Sequence, residues 1–137
     1  MKKLSLVCLI LAAFALSGCQ TVQETALGTD GETQLQIRNY QTRSFDTGDK
    51  ESVLRAIIAT LQDYGFIIER ADFTLGSITA TKFSTKITVT TRAKGKNKTI
   101  VRANAQYDLE PVKNPKIYQD FFSALEKSLF LSANAVD

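Results

Sequence analysis

Between Thr85 and Tyr107 the chain alternates twice with a period of two, and this pattern limits its fold more than any other feature. In Thr85 to Ala93 (TKITVTTRA), Ile87 and Val89 share one face while Lys86, Thr88, Thr90 and Arg92 share the other. Thr99 to Tyr107 (TIVRANAQY) repeats the pattern, with Val101, Ala103, Ala105 and Tyr107 inward. Strand side chains point to opposite faces in turn, so these segments form an antiparallel hairpin with one apolar and one wet face. KGKNK at 94–98 supplies its turn.

An apolar sheet face must be covered, and the sequence holds two covers. Val53, Leu54, Ile57, Ile58 and Leu61 fall on one stripe of a helix, with Arg55, Gln62 and Asp63 off it. The capping cluster DTGDKES precedes this helix, and Gly65 is its expected stop. Ile117, Tyr118, Phe121, Phe122, Leu125 and Leu129 repeat the stripe behind Asn114-Pro115, an N-cap followed by proline at the first helical position. QLQIRNYQTRSF, residues 34–45, is rich in β-formers and predicts a first strand; FIIER (66–70) and GSITATKF (76–83) predict two more. The order is β-α-β-β-β-β-α, or β-α-β-β-β-α if FIIER and GSITATKF make one bent unit or one of them frays. The expected fold is α+β, an antiparallel sheet of four to five strands with two helices packed on one face.

The first 19 residues, MKKLSLVCLILAAFALSGC, form a basic start, an apolar run and a small-residue pair before Cys19. This is the layout of a secretory signal, and its apolar run is too short to span a bilayer as a helix. The ending Leu16-Ser17-Gly18-Cys19 resembles the bacterial lipoprotein signal. That resemblance implies cleavage between Gly18 and Cys19, with diacylglycerol and an N-acyl chain on Cys19 holding the protein to a membrane. Gln20 stands where an inner-membrane retention signal would have Asp, which implies the outer membrane, periplasmic face. The expected organisation is a signal at 1–18, a lipidated N-terminus and polar tether at 19–33, and one domain at 34–137. The 137 residues support hardly more than that.

Composition then narrows the chemistry. With no His anywhere, the usual general base, the His-dependent triads and the commonest metal ligand are missing. Of the two Cys, Cys8 leaves with the signal and Cys19 is lipidated, so the domain has no thiol for a disulfide, metal or nucleophile. The expectation is a protein that is not an enzyme and that takes no cofactor or metal.

Residues 19–137 carry 15 positive and 14 negative side chains, but the balance is local. Between Phe73 and Tyr107 lie Lys82, Lys86, Arg92, Lys94, Lys96, Lys98 and Arg102, with no Asp or Glu. Lys86, Arg92, Lys94, Lys96, Lys98 and Arg102 are the candidate contacts for an anion or a partner. The same residues also serve a bland purpose, since Lys on strand edges and hairpin tips blocks edge-to-edge pairing. Nucleic acid is not expected, because the location is extracytoplasmic and no aromatic is interleaved with these basics. Asp46, Asp49 and Glu51 sit where helix caps and first-turn acids belong, and Asp108 and Glu110 flank a strand end before Pro111. Tyr40, Arg43 and Phe45 either offer an edge strand to a partner or, for Phe45, close the core beneath the first helix.

The segment 41–82, QTRSFDTGDKESVLRAIIATLQDYGFIIERADFTLGSITATK, resembles a module of small bacterial outer-membrane lipoproteins. In element order and spacing the chain is also similar to the helix-grip domains of a lipoprotein component of the β-barrel assembly machinery. The shared features are a capping cluster opening a helix, the exit Gly65-Phe66, an extended run ending near Asp72, and the strand start Gly76-Ser77-Ile78. The resemblance implies a helix-grip-like fold and a non-enzymatic accessory module of an envelope assembly, transport or efflux complex, with an envelope protein as partner. Binding of an anionic glycolipid or cell-wall polymer by the basic hairpin is the alternative.

Overall fold

A computed structural model of the chain describes residues 33–134; the signal, Gly18, Cys19 and nearly all of the tether lie outside them. In chain order the elements are α1 (Gln34–Tyr40), β1 (Thr42–Phe45), α2 (Lys50–Asp63), β2 (Ile67–Asp72), β3 (Ser77–Lys82), β4 (Thr85–Ala93), β5 (Thr99–Tyr107), β6 (Glu110–Pro111) and α3 (Pro115–Asn134). The sheet is antiparallel, in the order β1-β5-β4-β3-β2, with β6 also paired to β5. The fold is α+β.

The alternation from Thr85 to Tyr107 translates directly into register. Ile87 pairs with Ala105, Val89 with Ala103 and Thr91 with Val101, so one face of the hairpin is buried along its length. Ile78 and Ala80 continue that face onto β3. Against it pack Val53, Leu54, Ala56, Ile57 and Leu61 of α2, and Tyr118, Phe121, Phe122 and Leu125 of α3. The opposite face carries Lys86, Thr88, Thr90 and Arg92 of β4 and Ile100, Arg102, Asn104 and Gln106 of β5. No helix among the described residues is long and apolar enough to cross a membrane.

Both long helices begin at side-chain caps, and α2 also ends as its glycine dictates. The Asp49 side chain accepts from the Ser52 backbone N–H at 3.0 Å. At the far end Gly65 has φ +77°; its N–H donates to the Gln62 carbonyl and that of Phe66 to the Leu61 carbonyl, a Schellman closure that turns the chain into β2. Asn114 caps α3 by accepting from Lys116 N–H at 3.0 Å. The hydrogen bond from Ser52 N–H holds the Asp49 carboxyl below its ordinary value of 3.8. Asp49→Ala should cost about 1 kcal/mol, the ordinary worth of such a cap. Because folding lowers this pKa, the contribution is complete above the ordinary value and is lost as pH falls through the folded one. Unfolding curves of the variant and the parent should converge in acid while differing at neutral pH.

Three expectations are corrected. The predicted strand over 34–45 is a helix followed by a strand, because the half-buried residues are Ile37 and Tyr40, three apart, while Leu35 is exposed. Gln, Leu and Arg are good helix formers, and here that preference prevails over apparent alternation. The sheet has six strands, more than four to five, since β2 and β3 are separate and Glu110-Pro111 folds back onto Gln106 and Tyr107. Asp108, with φ +52°, makes that reversal. A third helix, α1, joins the expected two. Tyr107 ends the inward row but is 58% exposed, as no helix among the described residues buries it.

Candidate functional site

The six candidate cations separate into three settings. Arg92 and Arg102 lie on neighbouring strands of the uncovered face, where Arg102 pairs with Thr90 and Arg92 with Ile100, so the two arginines are diagonal neighbours. Such diagonal positions lie about 7–8 Å apart at the backbone, within reach of one ligand for side chains this long. Thr42 of β1 pairs with Arg102 from the other side. Thr42, Arg102 and Thr90 thus form a row across three strands, beside a second row of Ser44, Ile100 and Arg92. Of these, Thr42, Thr90, Arg92, Ile100 and Arg102 line a shallow depression of about 520 Å³ together with Leu75 from the β2–β3 turn.

Lys94, Lys96 and Lys98 belong to the turn beyond the sheet, away from those rows. This turn is clamped at its base. Lys98 faces Asp46 at 3.5 Å, Thr99 Oγ1 donates to the Thr47 carbonyl at 2.8 Å, and Gly48 lies so close to Lys96 that a Cβ would overlap its carbonyl oxygen. Lys86 stands at the other end of the open face with Glu69 at 4.0 Å. Exposed pairs of this kind contribute little. Among the described residues no carboxylate lies within ion-pair distance of Arg92 or Arg102. Two guanidinium groups beside two threonine hydroxyls suit a carboxylate or phosphate, which arginine binds through its planar fork.

No protein-family model matches the chain, and no curated protein matches it. The residues themselves therefore carry the functional reading.

Three of the five candidate carboxylates have local partners: Asp49 caps α2, Glu51 pairs with Arg55 one turn on, and Asp46 faces Lys98. Asp108 makes the last hairpin turn with its backbone, and Glu110 lies opposite Tyr107 in β6. Phe45 is buried with its ring 6.5 Å from that of Phe122, so it closes the core. Arg43 lies over the Phe122 ring at 5.6 Å, and Tyr40 belongs to α1, where its hydroxyl donates to the Lys113 carbonyl. Of the two readings offered for Phe45, closing the core is the one the structure shows, while Tyr40 and Arg43 make contacts within the domain.

A second concavity has no counterpart among the sequence-based expectations. On the helix side, at the end of the sheet opposite the lysine turn, an apolar groove of about 460 Å³ opens between the segment just after α2 (Tyr64 and Phe66), α3 and the strands. Its floor is Ile87, Ala105 and Phe121. The available signal was a single small inward residue, Ala105, in the floor.

Proposed function

We propose that this chain is a non-enzymatic binding module, held by lipid on Cys19 to the periplasmic face of the bacterial outer membrane. It docks another component of the cell envelope, a protein of an assembly, transport or efflux complex, on the open face of its sheet. The observation that carries this reading is the pair Arg92 and Arg102, exposed on the uncovered face without a carboxylate partner among the described residues. An acidic patch on a partner would complete it, and charge complementarity of that kind raises association rate and specificity. The signal ending in Leu16-Ser17-Gly18-Cys19 supports the location.

The two threonine hydroxyls flanking Arg102 favour a second reading, in which the same face holds the phosphates of an anionic glycolipid or the acidic groups of a cell-wall polymer.

Anchoring is tested by fractionation of cells producing Cys19→Ala. The parent is expected in the outer-membrane fraction and the variant in the soluble fraction or as unprocessed precursor. Normal outer-membrane retention of the variant would refute the lipid anchor.

A further inference from the structure

We propose that the groove on the helix side is a binding site for a single-chain anionic amphiphile, a long-chain carboxylate. It lies on the opposite side of the sheet from Arg92 and Arg102, and its case is independent of them.

Three observations fit this occupant. The first is the lining. Ile87, Ala105 and Phe121 form a buried floor, while Phe66, Ile117 and Tyr107 rise around it with Ile117 48% and Tyr107 58% exposed. A volume of about 460 Å³ falls within the range of pockets that enclose small molecules. An apolar chain laid here would cover side chains that now face water.

The second is that the walls are held in place by hydrogen bonds. Tyr64, directly after α2, donates its hydroxyl to the Asp120 carbonyl of α3 at 3.2 Å. Tyr118 donates to the Val112 carbonyl at 2.7 Å and accepts from Ala105 N–H at 3.2 Å, fixing the segment before α3 to the sheet. The groove is thereby formed in the free protein, and a ligand need not spend binding energy opening it.

The third is charge at the mouth. Lys82 is half-buried there, and its ammonium donates to the Tyr64 carbonyl at 2.7 Å, leaving further donors. No carboxylate among the described residues lies within ion-pair distance of Lys82. The one acid at the groove, Asp120, is matched by Lys116 at 2.7 Å. The mouth therefore carries one uncompensated positive charge beside an apolar floor, the complement of a carboxylate on a hydrocarbon chain.

The test is a fluorescence titration of the full chain, carrying Cys19→Ala and produced without export, with 11-(dansylamino)undecanoic acid. Saturable one-to-one binding is expected, displaced by palmitate. Ala105→Phe fills the floor, and Ile117→Gln makes the half-exposed rim polar; each should weaken the probe about tenfold or more, with circular dichroism and melting temperature reporting the fold. Lys82→Gln should weaken palmitate about tenfold and leave hexadecanol unchanged, whereas a lysine that only caps α2 would shift both ligands alike or neither. Binding that is indifferent to both Ala105→Phe and Ile117→Gln would overturn the proposal, as would equal effects of Lys82→Gln on palmitate and hexadecanol.

The same end of the sheet bears Phe83 and Leu109, 97% and 89% exposed on two turns joined by a hydrogen bond from Asp108 N–H to the Ser84 carbonyl. If the probe binds only when phosphatidylglycerol vesicles are present, and Phe83→Ser with Leu109→Ser abolishes this while Ala105→Phe does not, these tips are a membrane contact and the groove is no site.

Discussion

Phe122→Ala is expected to remove about 3–5 kcal/mol of stability, the range for deleting a fully buried phenylalanine. Phe122 has no exposed surface and lies where all layers meet. Its ring is 5.2 Å from Phe121 on α3 and 6.5 Å from Phe45 on β1, and Arg43 covers it at 5.6 Å. Truncation leaves a void among side chains fixed by different elements, so collapse can fill little of it. A domain of this size is stable by only about 5–15 kcal/mol, so the variant retains a fraction of that. Urea unfolding should show a lower midpoint at an unchanged slope, which distinguishes lost packing from a change in the unfolded chain.

Tyr118→Phe keeps the ring and deletes one oxygen, yet should cost about 2–4 kcal/mol, because the deletion strands several polar groups at once. The reason lies in the outer edge of β5. That edge is covered by β1 along Thr99–Arg102 and by β6 along Gln106–Tyr107, and the gap between them is filled piece by piece. Ala103 N–H donates to the Gln41 carbonyl, Val112 N–H donates to the Ala105 carbonyl, and Ala105 N–H donates to the Tyr118 hydroxyl at 3.2 Å. The hydroxyl substitutes for a strand residue that the ladder lacks. It also accepts from the buried Gln41 side chain at 3.3 Å and donates to the Val112 carbonyl at 2.7 Å. Removing it leaves an amide, a carbonyl and a carboxamide to find water in a site where Tyr118 is 1% exposed. Hydrogen exchange should accelerate most at Ala105, whereas Ala103, bonded to Gln41, should be less affected.

How far each feature was legible in the sequence follows from how local its cause is. The β4–β5 hairpin and both long helices are written in period-two and period-3.6 patterns that depend on near neighbours, and Gly65 and Asn114-Pro115 mark ends by backbone chemistry alone. The segment 34–45 escaped because Leu35 and Ile37 mimic alternation, while the residue that docks it on the core is Tyr40, whose ring lies 5.5 Å from that of Tyr118, far along the chain. β6 is two residues long, too short to show any period, and exists because Asp108 takes a left-handed turn.

The candidate sites divide in the same way. Alternation placed Lys86, Thr90 and Arg92 on one face, but a cluster of basic residues in sequence does not reveal which two become neighbours. That depends on the β4–β5 register, which sets Arg102 opposite Thr90 and leaves Lys94, Lys96 and Lys98 in the turn. Thr42 reaches Arg102 only through the pairing of β1 with β5. The groove was illegible because its lining comes from segments far apart in the chain: Ala105 reads simply as an inward position of modest size, and the space above it appears only when Phe66, Ile117 and Phe121 are brought around it.

Whether the uncovered face is where this module meets its partner can be decided by photo-crosslinking in intact cells. A photoreactive residue at Ser44 or Asn104 flanks the two arginines, and one at Glu126 occupies the exposed side of α3. Ser44 and Asn104 should capture the same envelope component, Arg92→Gln with Arg102→Gln should abolish the capture, and Glu126 should capture nothing comparable. Equal capture of that component from Glu126, or capture from Ser44 and Asn104 that persists without the arginines, would show that the partner docks elsewhere.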